Sequence, residues 1–267
     1  MRITNMLSPT KPQVGVLGGA GMLGSDLVRY LGETQTVFAI DRHNYADFRG
    51  RHFDVIVNAN GNSKRFWADQ NPAQDFEFST ASVVQSCFDF KFGTYIYISS
   101  PDVYADPGSP SATREQESVD PQQLSPYGFH KRLAEEVVRH YAADFVILRS
   151  AALLGAKLAK GIVYDILQGN ALYVNLDTRI QFLSTQAVAE IIQSLLARKT
   201  SREIFNMGGI GTVTPSEIAA WAGKPIQVRA DAAAQRYEMN LDKIKRVYAL
   251  KTSAEYVQEF MAGHKSA

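Results

Sequence analysis

Tyr127 and Lys131 stand four residues apart, so on a helix they share one face. A phenol and an ammonium so placed make an acid/base pair. The Lys charge favours the phenolate and lowers the Tyr pKa toward a working range. Ser99 and Ser100 follow an apolar run, and a hydroxyl there can hydrogen-bond a substrate oxygen. A second constellation is Gly18-x-x-Gly21-x-x-Gly24, with Met22 and Leu23 inside it. The first glycine suits a tight turn, the second lets backbone N–H groups approach a pyrophosphate, and the third lets a helix pack close to a strand. Asp41 lies 20 residues beyond Gly21, where a carboxylate can take both hydroxyls of a ribose. Together these residues predict a dinucleotide site. Asp41 repels a 2′-phosphate and so favours NAD. Arg42 would accept that phosphate, stack on adenine or sit in solvent, which keeps NADP open.

Chemistry of this kind needs a rigid frame, and the apolar pattern supplies one. Val14-Gly15-Val16-Leu17 reads as a buried strand that breaks into the glycines and then a helix over 22–31. Val37-Phe38-Ala39-Ile40, Phe53-Asp54-Val55-Ile56-Val57, Tyr95-Ile96-Tyr97-Ile98 and Phe145-Val146-Ile147-Leu148 read as four more strands. Helices are expected over 80–90 and 124–141, the latter entered through Ser125-Pro126. Strands alternating with helices, mostly as continuous apolar runs, predict an α/β fold with a doubly wound parallel sheet. Beyond Ser150 the rhythm loosens. Helices are expected over 157–168, 186–199, 215–222 and 254–261, and a strand over 203–206. Residues 1–152 are thus read as a Rossmann-type dinucleotide-binding domain, with a return segment near 179–208. The remaining parts of 153–267 are read as a small C-terminal substrate-binding lobe. Residues 106–126, rich in Pro, Ser, Asp and Glu, read as a long loop that would either cover a substrate or extend into solvent.

Composition narrows the setting. The chain has 267 residues with 28 Lys or Arg against 27 Asp or Glu, so charge gives no reason to expect nucleic acid or an anionic membrane as partner. An apolar fraction of 45% is enough to build a core. Cys87 is the single cysteine, which excludes an intramolecular disulfide and fits a reducing cytoplasm. Residues 1–13 are polar and carry Pro9 and Pro12, unlike a secretory leader. No run approaches ~18 apolar residues, so no membrane span is expected. His43, His52, His130, His140 and His264 show no ligand spacing, and no metal is expected.

The chain resembles the extended short-chain dehydrogenase/reductases, the NAD-dependent epimerase/dehydratase group, over about residues 14–210. The resemblance is carried by Gly18-Gly19-Ala20-Gly21-Met22-Leu23-Gly24, Ile98-Ser99-Ser100-Pro101-Asp102-Val103-Tyr104 and Ser125-Pro126-Tyr127-Gly128-Phe129-His130-Lys131. Asp54-Val55-Ile56-Val57-Asn58-Ala59-Asn60, Ile147-Leu148-Arg149-Ser150 and Phe205-Asn206-Met207-Gly208 add to it. It implies Tyr127 as general acid/base and Lys131 as the residue holding the nicotinamide ribose. Ser100 would bond the reacting oxygen, with Ser99 the nearer alternative. It also implies that Asn58, Ala59 and Asn60 lie against the cofactor. Hydride would pass between a substrate carbon and nicotinamide C4. Homodimers through the helices flanking the sheet are common in the family. Leu133, Val137, Val138 and Tyr141 would face either the sheet or such a partner.

Departures from the family pattern narrow the reaction. Sugar 4,6-dehydratases carry an acidic pair after the Ser/Thr, whereas this chain has Pro101 and Asp102. Proline transfers no proton, which disfavours dehydration; Asp102 would cap a turn or meet substrate. Cys87 reads as a buried apolar residue and His130 as positional. Arg179 is a candidate for substrate phosphate, although its register is off by about one. Gln186 and Ala187 replace an acidic pair. The expected activity is a 4-epimerase or a keto-sugar dehydrogenase/reductase acting on a nucleotide-activated sugar. The short lobe keeps open a smaller alcohol or ketone. A non-catalytic dinucleotide-binding regulator is the remaining reading, and retention of both Tyr127 and Lys131 argues against it.

Overall fold

A computed structural model of the chain describes residues 11–265. Most of the 1–13 segment, read above for a leader, therefore lies outside the described residues.

In chain order the strands are β1 (Gln13–Leu17), β2 (Thr36–Ile40), β3 (His52–Asn58), β4 (Lys91–Ser99), β5 (Phe145–Ser150), β6 (Ala152–Leu154), β7 (Leu172–Val174), β8 (Arg179–Ile180), β9 (Phe182–Ser184), β10 (Glu203–Met207), β11 (Val228–Ala233) and β12 (Arg236–Tyr237). The helices are α1 (Met22–Leu31), α2 (Arg65–Gln70), α3 (Pro72–Phe76), α4 (Ser82–Asp89), α5 (Pro126–Tyr141), α6 (Ile162–Gln168), α7 (Thr185–Ala197), α8 (Pro215–Ala222) and α9 (Ser253–Lys265).

Six strands form one sheet in the order β10-β5-β4-β3-β1-β2, every neighbour parallel. The chain runs outward from β1 to β2, then crosses back to β3 on the other side of β1. That reversal opens a crevice at the C-terminal ends of β1 and β3, where parallel α/β sheets take their ligands. The later return to the sheet by β10 agrees with the strand expected over 203–206. The short strands pair two by two outside this sheet: β6 with β9, β7 with β11, and β8 with β12.

The apolar runs are continuous because both faces are covered. Val55, Val57, Ile96, Ile98, Val146 and Leu148 pack on one side with Leu23 and Leu27 of α1 and Val188, Ile191 and Ile192 of α7. The alternate residues Ile56, Tyr95, Tyr97 and Ile147 pack on the other with Val83 of α4 and Ala134 and Val138 of α5. The hydrophobic effect thus fixes strand register, since a one-residue slip would exchange the two faces.

Three expectations need correction. The helix expected over 157–168 begins only at Ile162, because Gly161 adopts φ +92°, outside helical space. Helices α2 and α3 and the short strand pairs were absent from the sequence reading. The 106–126 loop is no free excursion, since Thr113 is fully buried and Arg149 donates to the Glu115 carbonyl. On α5, Val138 faces the sheet, whereas Tyr141 is exposed and touches exposed Phe88 edge to face, at 4.9 Å between centroids. Among the described residues no helix is long and apolar enough to cross a membrane.

Candidate active site

The glycine turn follows β1 directly. Gly18 has φ +78°, and a Cβ there would sit 3.0 Å from the backbone of Asn60. Gly18 and Gly19 both donate N–H to the Ile40 carbonyl, tying the turn to β2. A Cβ on Gly24 would lie 2.0 Å from the Gly18 carbonyl oxygen, so only glycine lets α1 start this close to the strand. Gly21 is the N-cap of α1, and no side chain caps that end. The positive end of the helix dipole therefore faces the crevice with its N–H groups uncommitted to a cap, as an anion site requires. Met22 and Leu23 form the first turn, with Leu23 packed into the core.

Asp41 follows β2. Its Oδ1 accepts the His43 N–H at 2.8 Å, and its own N–H goes to Asn44 Oδ1. Arg42 is exposed and donates from Nε to His43 Nε2 at 3.2 Å. Across the crevice Asn58 is buried with both polar ends used internally. Its amide donates to Tyr95 Oη at 2.7 Å, and its Oδ1 takes the Asn60 N–H at 2.9 Å. Asn58 thus shapes the turn, and the flanking Ala59 and Asn60 form the wall facing the glycines.

The two candidate groups, Ser100 and Tyr127, come from adjacent elements. Ser125 caps α5, accepting the Gly128 N–H at 3.2 Å, and Pro126 occupies its first turn. Tyr127, His130, Lys131, Ala134, Glu135 and Val138 make its buried face, with helical three- and four-residue spacing. The turn after β4 carries Ser100, whose Oγ donates to Asp102 Oδ2 at 3.1 Å and accepts the Asp102 N–H at 3.2 Å. A Cβ on Gly128 would be 2.0 Å from the Asp102 carbonyl, so the two segments meet backbone to backbone. Ser100 and Tyr127 are thereby brought close enough for the Ser100 hydroxyl to act on the Tyr127 phenol.

The electrostatics differ from the sequence expectation. Burial raises the Tyr127 pKa well above the usual phenol range, and the nearby Asp102 carboxylate adds to this. Lys131 does not offset it. Its Nζ donates to the Ile98 carbonyl at 3.3 Å, and burial pushes its pKa down to about 8. In this arrangement the Tyr127 phenol keeps its proton.

Ser99 is separated from this pair. Its Oγ donates to Glu135 Oε1 at 2.6 Å. Glu135 is in turn bidentate with the fully buried Arg149, through Nε at 2.9 Å and Nη2 at 2.7 Å, and Arg149 also donates to Tyr104 Oη at 2.7 Å. Asp102 is likewise committed: its Oδ1 accepts from Tyr237 Oη at 2.9 Å and pairs with Arg65 at 3.2 Å. Arg179 lies on β8 with its side chain exposed and influences Glu217 of α8, and no contact joins it to Ser100 or Tyr127. His130 is positional, as expected: Nδ1 lies 2.7 Å from buried Asp75 Oδ2, tying α5 to α3. Cys87, expected to be buried, is only half-buried, because it sits near the C-terminal end of α4; desolvation still pushes its thiol up to about 12.

Sequence reasoning missed Asp75, Glu135, Arg65 and Tyr237. Glu135 left one trace, sitting four residues past Lys131 on the buried face. Arg149 left another, as a charge ending an otherwise apolar strand. Arg65 and Tyr237 left none, being 172 residues apart in the chain and joined only by folding.

A model of the NAD dependent epimerase/dehydratase family matches residues 14–208, and the chain belongs to that family of enzymes. Search of curated proteins returned no match. Solved structures match over nearly their whole length. A UDP-galactose 4-epimerase structure superposes with TM-score 0.76 at 20% identity, covering 95% of this chain and 99% of that one. MoeE5 in complex with UDP-glucose and NAD gives 0.78 at 16%, covering 95% and 99%. The dTDP-4-dehydrorhamnose reductase of Bacillus anthracis in complex with NADP gives 0.77 at 16%, covering 96% and 100%. At these identities the likeness establishes the shared Rossmann-type fold.

Proposed function

We propose that this protein binds NAD in the crevice between β1 and β3 and acts as an epimerase or keto-sugar dehydrogenase/reductase on a nucleotide-linked sugar. The observation that carries the reading is the approach of Ser100 to Tyr127, with Lys131 one turn on along the same buried face of α5, in a sheet whose first strand ends in the glycine turn. The residues fit a dinucleotide: the cradle at Gly18 and Gly24 has no room for a Cβ, and the end of α1 has no side-chain cap. Gly18, Gly21, Met22, Leu23 and Gly24 would hold the pyrophosphate. The free oxygen of Asp41 would hold the adenosine ribose, which favours NAD over NADP. Ala59, Asn60 and Lys131 would line the nicotinamide half. When bound, the nicotinamide supplies hydride transfer.

The chain's own residues then handle the proton. Ser100 orients the substrate oxygen. Tyr127, held protonated by burial and by Asp102, donates to that oxygen as negative charge develops on it. Lys131 supplies positive charge behind the ribose. Segments 153–178 and 209–265 would form the substrate lobe, and a homodimer would use the exposed Phe88 and Tyr141 of α4 and α5. The nucleotide-sugar substrate is supported by the similar proteins above, two of which are named for sugar nucleotides, UDP-galactose and dTDP-4-dehydrorhamnose. One observation favours a smaller ketone instead: Arg179, the candidate for substrate phosphate, is exposed and has no hydrogen bond or ion pair to Ser100 or Tyr127 among the described residues.

The test is to purify the protein without added cofactor, denature it and quantify the released dinucleotide. Near-stoichiometric NAD(H) identifies an epimerase that recycles its hydride. A site that binds and exchanges dinucleotide identifies a dehydrogenase or reductase. Failure to bind either NAD(H) or NADP(H) overturns the reading.

A further inference from the structure

The segment 155–161 crosses the mouth of the crevice. It starts pinned: a Cβ on Gly155 would lie 2.6 Å from Asp26 Oδ2, and that buried carboxylate of α1 accepts the Ala156 N–H at 3.1 Å and the Thr185 hydroxyl at 2.7 Å. It ends at Gly161 with φ +92° and open space around it. Between these ends it places one lysine on each wall. Lys157 Nζ donates to the carbonyl of Ala20, inside the glycine turn, at 3.3 Å. Lys160 Nζ donates to the Ser63 carbonyl and, at 2.9 Å, to the Ser63 hydroxyl, on the wall that follows β3.

Neither lysine is paired with a carboxylate among the described residues, and Lys64 beside them is not either. Partial desolvation of its ammonium group, on an otherwise exposed residue, and the neighbouring Lys64 charge push the Lys160 pKa down to about 8. Ammonium groups gathered without a counter-charge, opposite the positive end of α1, raise one another's energy until an anion joins them. A pyrophosphate seated on the α1 N-terminus would lie between the two walls that these lysines touch.

We propose that Lys157 and Lys160 grip the pyrophosphate of the dinucleotide from the outer side, opposite the glycine turn, and slow its release. The proposal rests on the dinucleotide-binding reading above. Lysine suits the task as a mobile point charge that follows the phosphates.

The test is NADH binding followed by fluorescence in wild type and in the K157A/K160A double variant, with adenosine and UDP as further probes. Both lysines are exposed, and circular dichroism checks that the variant is folded. The variant is expected to bind NADH about tenfold more weakly, with faster release and a shallower dependence on salt. Adenosine, which lacks the pyrophosphate, and UDP are expected to bind as in wild type, and K157R/K160R is expected to restore most of the affinity. An NADH affinity in the alanine variant equal to or tighter than wild type overturns the proposal. So does a loss confined to UDP, which would give the lysines to the diphosphate of a sugar nucleotide. Wild type that binds no dinucleotide at all overturns the underlying reading as well.

Discussion

Glu135→Gln tests whether the buried charge under Ser99 is structural. Glutamine keeps the shape of glutamate and one acceptor oxygen, so no cavity opens and the Ser99 hydroxyl keeps a partner. The negative charge opposite Arg149 is lost, and one amide N–H₂ must face guanidinium N–H groups. Burial opposes the charge on Arg149, but Glu135 outweighs it and raises the guanidinium pKa further, so Arg149 cannot escape by losing its proton. Arg149 is 0% and Glu135 1% exposed, so solvent cannot supply the missing charge. Leaving one member of a buried pair unpartnered costs about 3–5 kcal/mol, a large share of the ~5–15 kcal/mol that folds a typical protein. At about 2–4 °C per kcal/mol for a chain of this size class, Tm should fall by roughly 6–20 °C. Urea unfolding at pH 7, followed by circular dichroism, gives the free energy directly. The double variant E135L/R149M removes both charges and should recover most of the loss. A Glu135→Gln protein within about 1 kcal/mol of wild type would refute the reasoning, as would a double variant less stable than the single one.

Three further outcomes are expected. Tyr127→Phe should lower turnover by about 10²–10⁴-fold while NADH binding, read by fluorescence titration, stays within about twofold. Lys131→Met should stabilise the cofactor-free protein at pH 7, because the folded pKa of about 8 lies below the ordinary 10.5. The unfolded chain binds the extra proton between those values, so wild-type stability rises as pH climbs from 8 to 10.5. The advantage of the variant, on the order of 3 kcal/mol at pH 7, should vanish above that window in unfolding curves taken across pH. Gly24→Ala places a methyl 2.0 Å from the Gly18 carbonyl, so it should both lower Tm and abolish NADH binding.

Much of this fold is legible in the sequence because its strands are buried on both faces. Val14–Leu17 and Phe145–Leu148 stand out as apolar runs, and α1 and α8 occupy the residues that the pattern marks. Helices α2 and α3 escape because each is under two turns long, they are divided at Asn71-Pro72, and exposed Phe66 and Phe76 blur the periodicity. Strand β11 is largely exposed and so carries no apolar signature. In the candidate site, Ser100, Tyr127 and Lys131 are proposed from local motifs that carry them. The direction in which Ser99 points could not be read, since the acceptor that claims it lies 36 residues away. Nor could the raised pKa of Tyr127, which depends on burial and on the folded approach of Asp102.

The backbone contact between Gly128 and the Asp102 carbonyl has a consequence for how such a protein can change. Ser100 and Tyr127 ride on two segments that meet backbone to backbone, so the proposed proton-handling pair is held by one contact. The groups that reach toward this pair from outside, Tyr237 on β12 and Arg65 on α2, are held to Asp102 only through side chains. On the proposed roles, changes in the C-terminal segments and α2 would alter what reaches this pair and leave the Ser100–Tyr127 spacing as it is. A mutation at Gly128 changes that spacing, since any larger residue must push the two halves of the chemistry apart before it alters a single substrate contact.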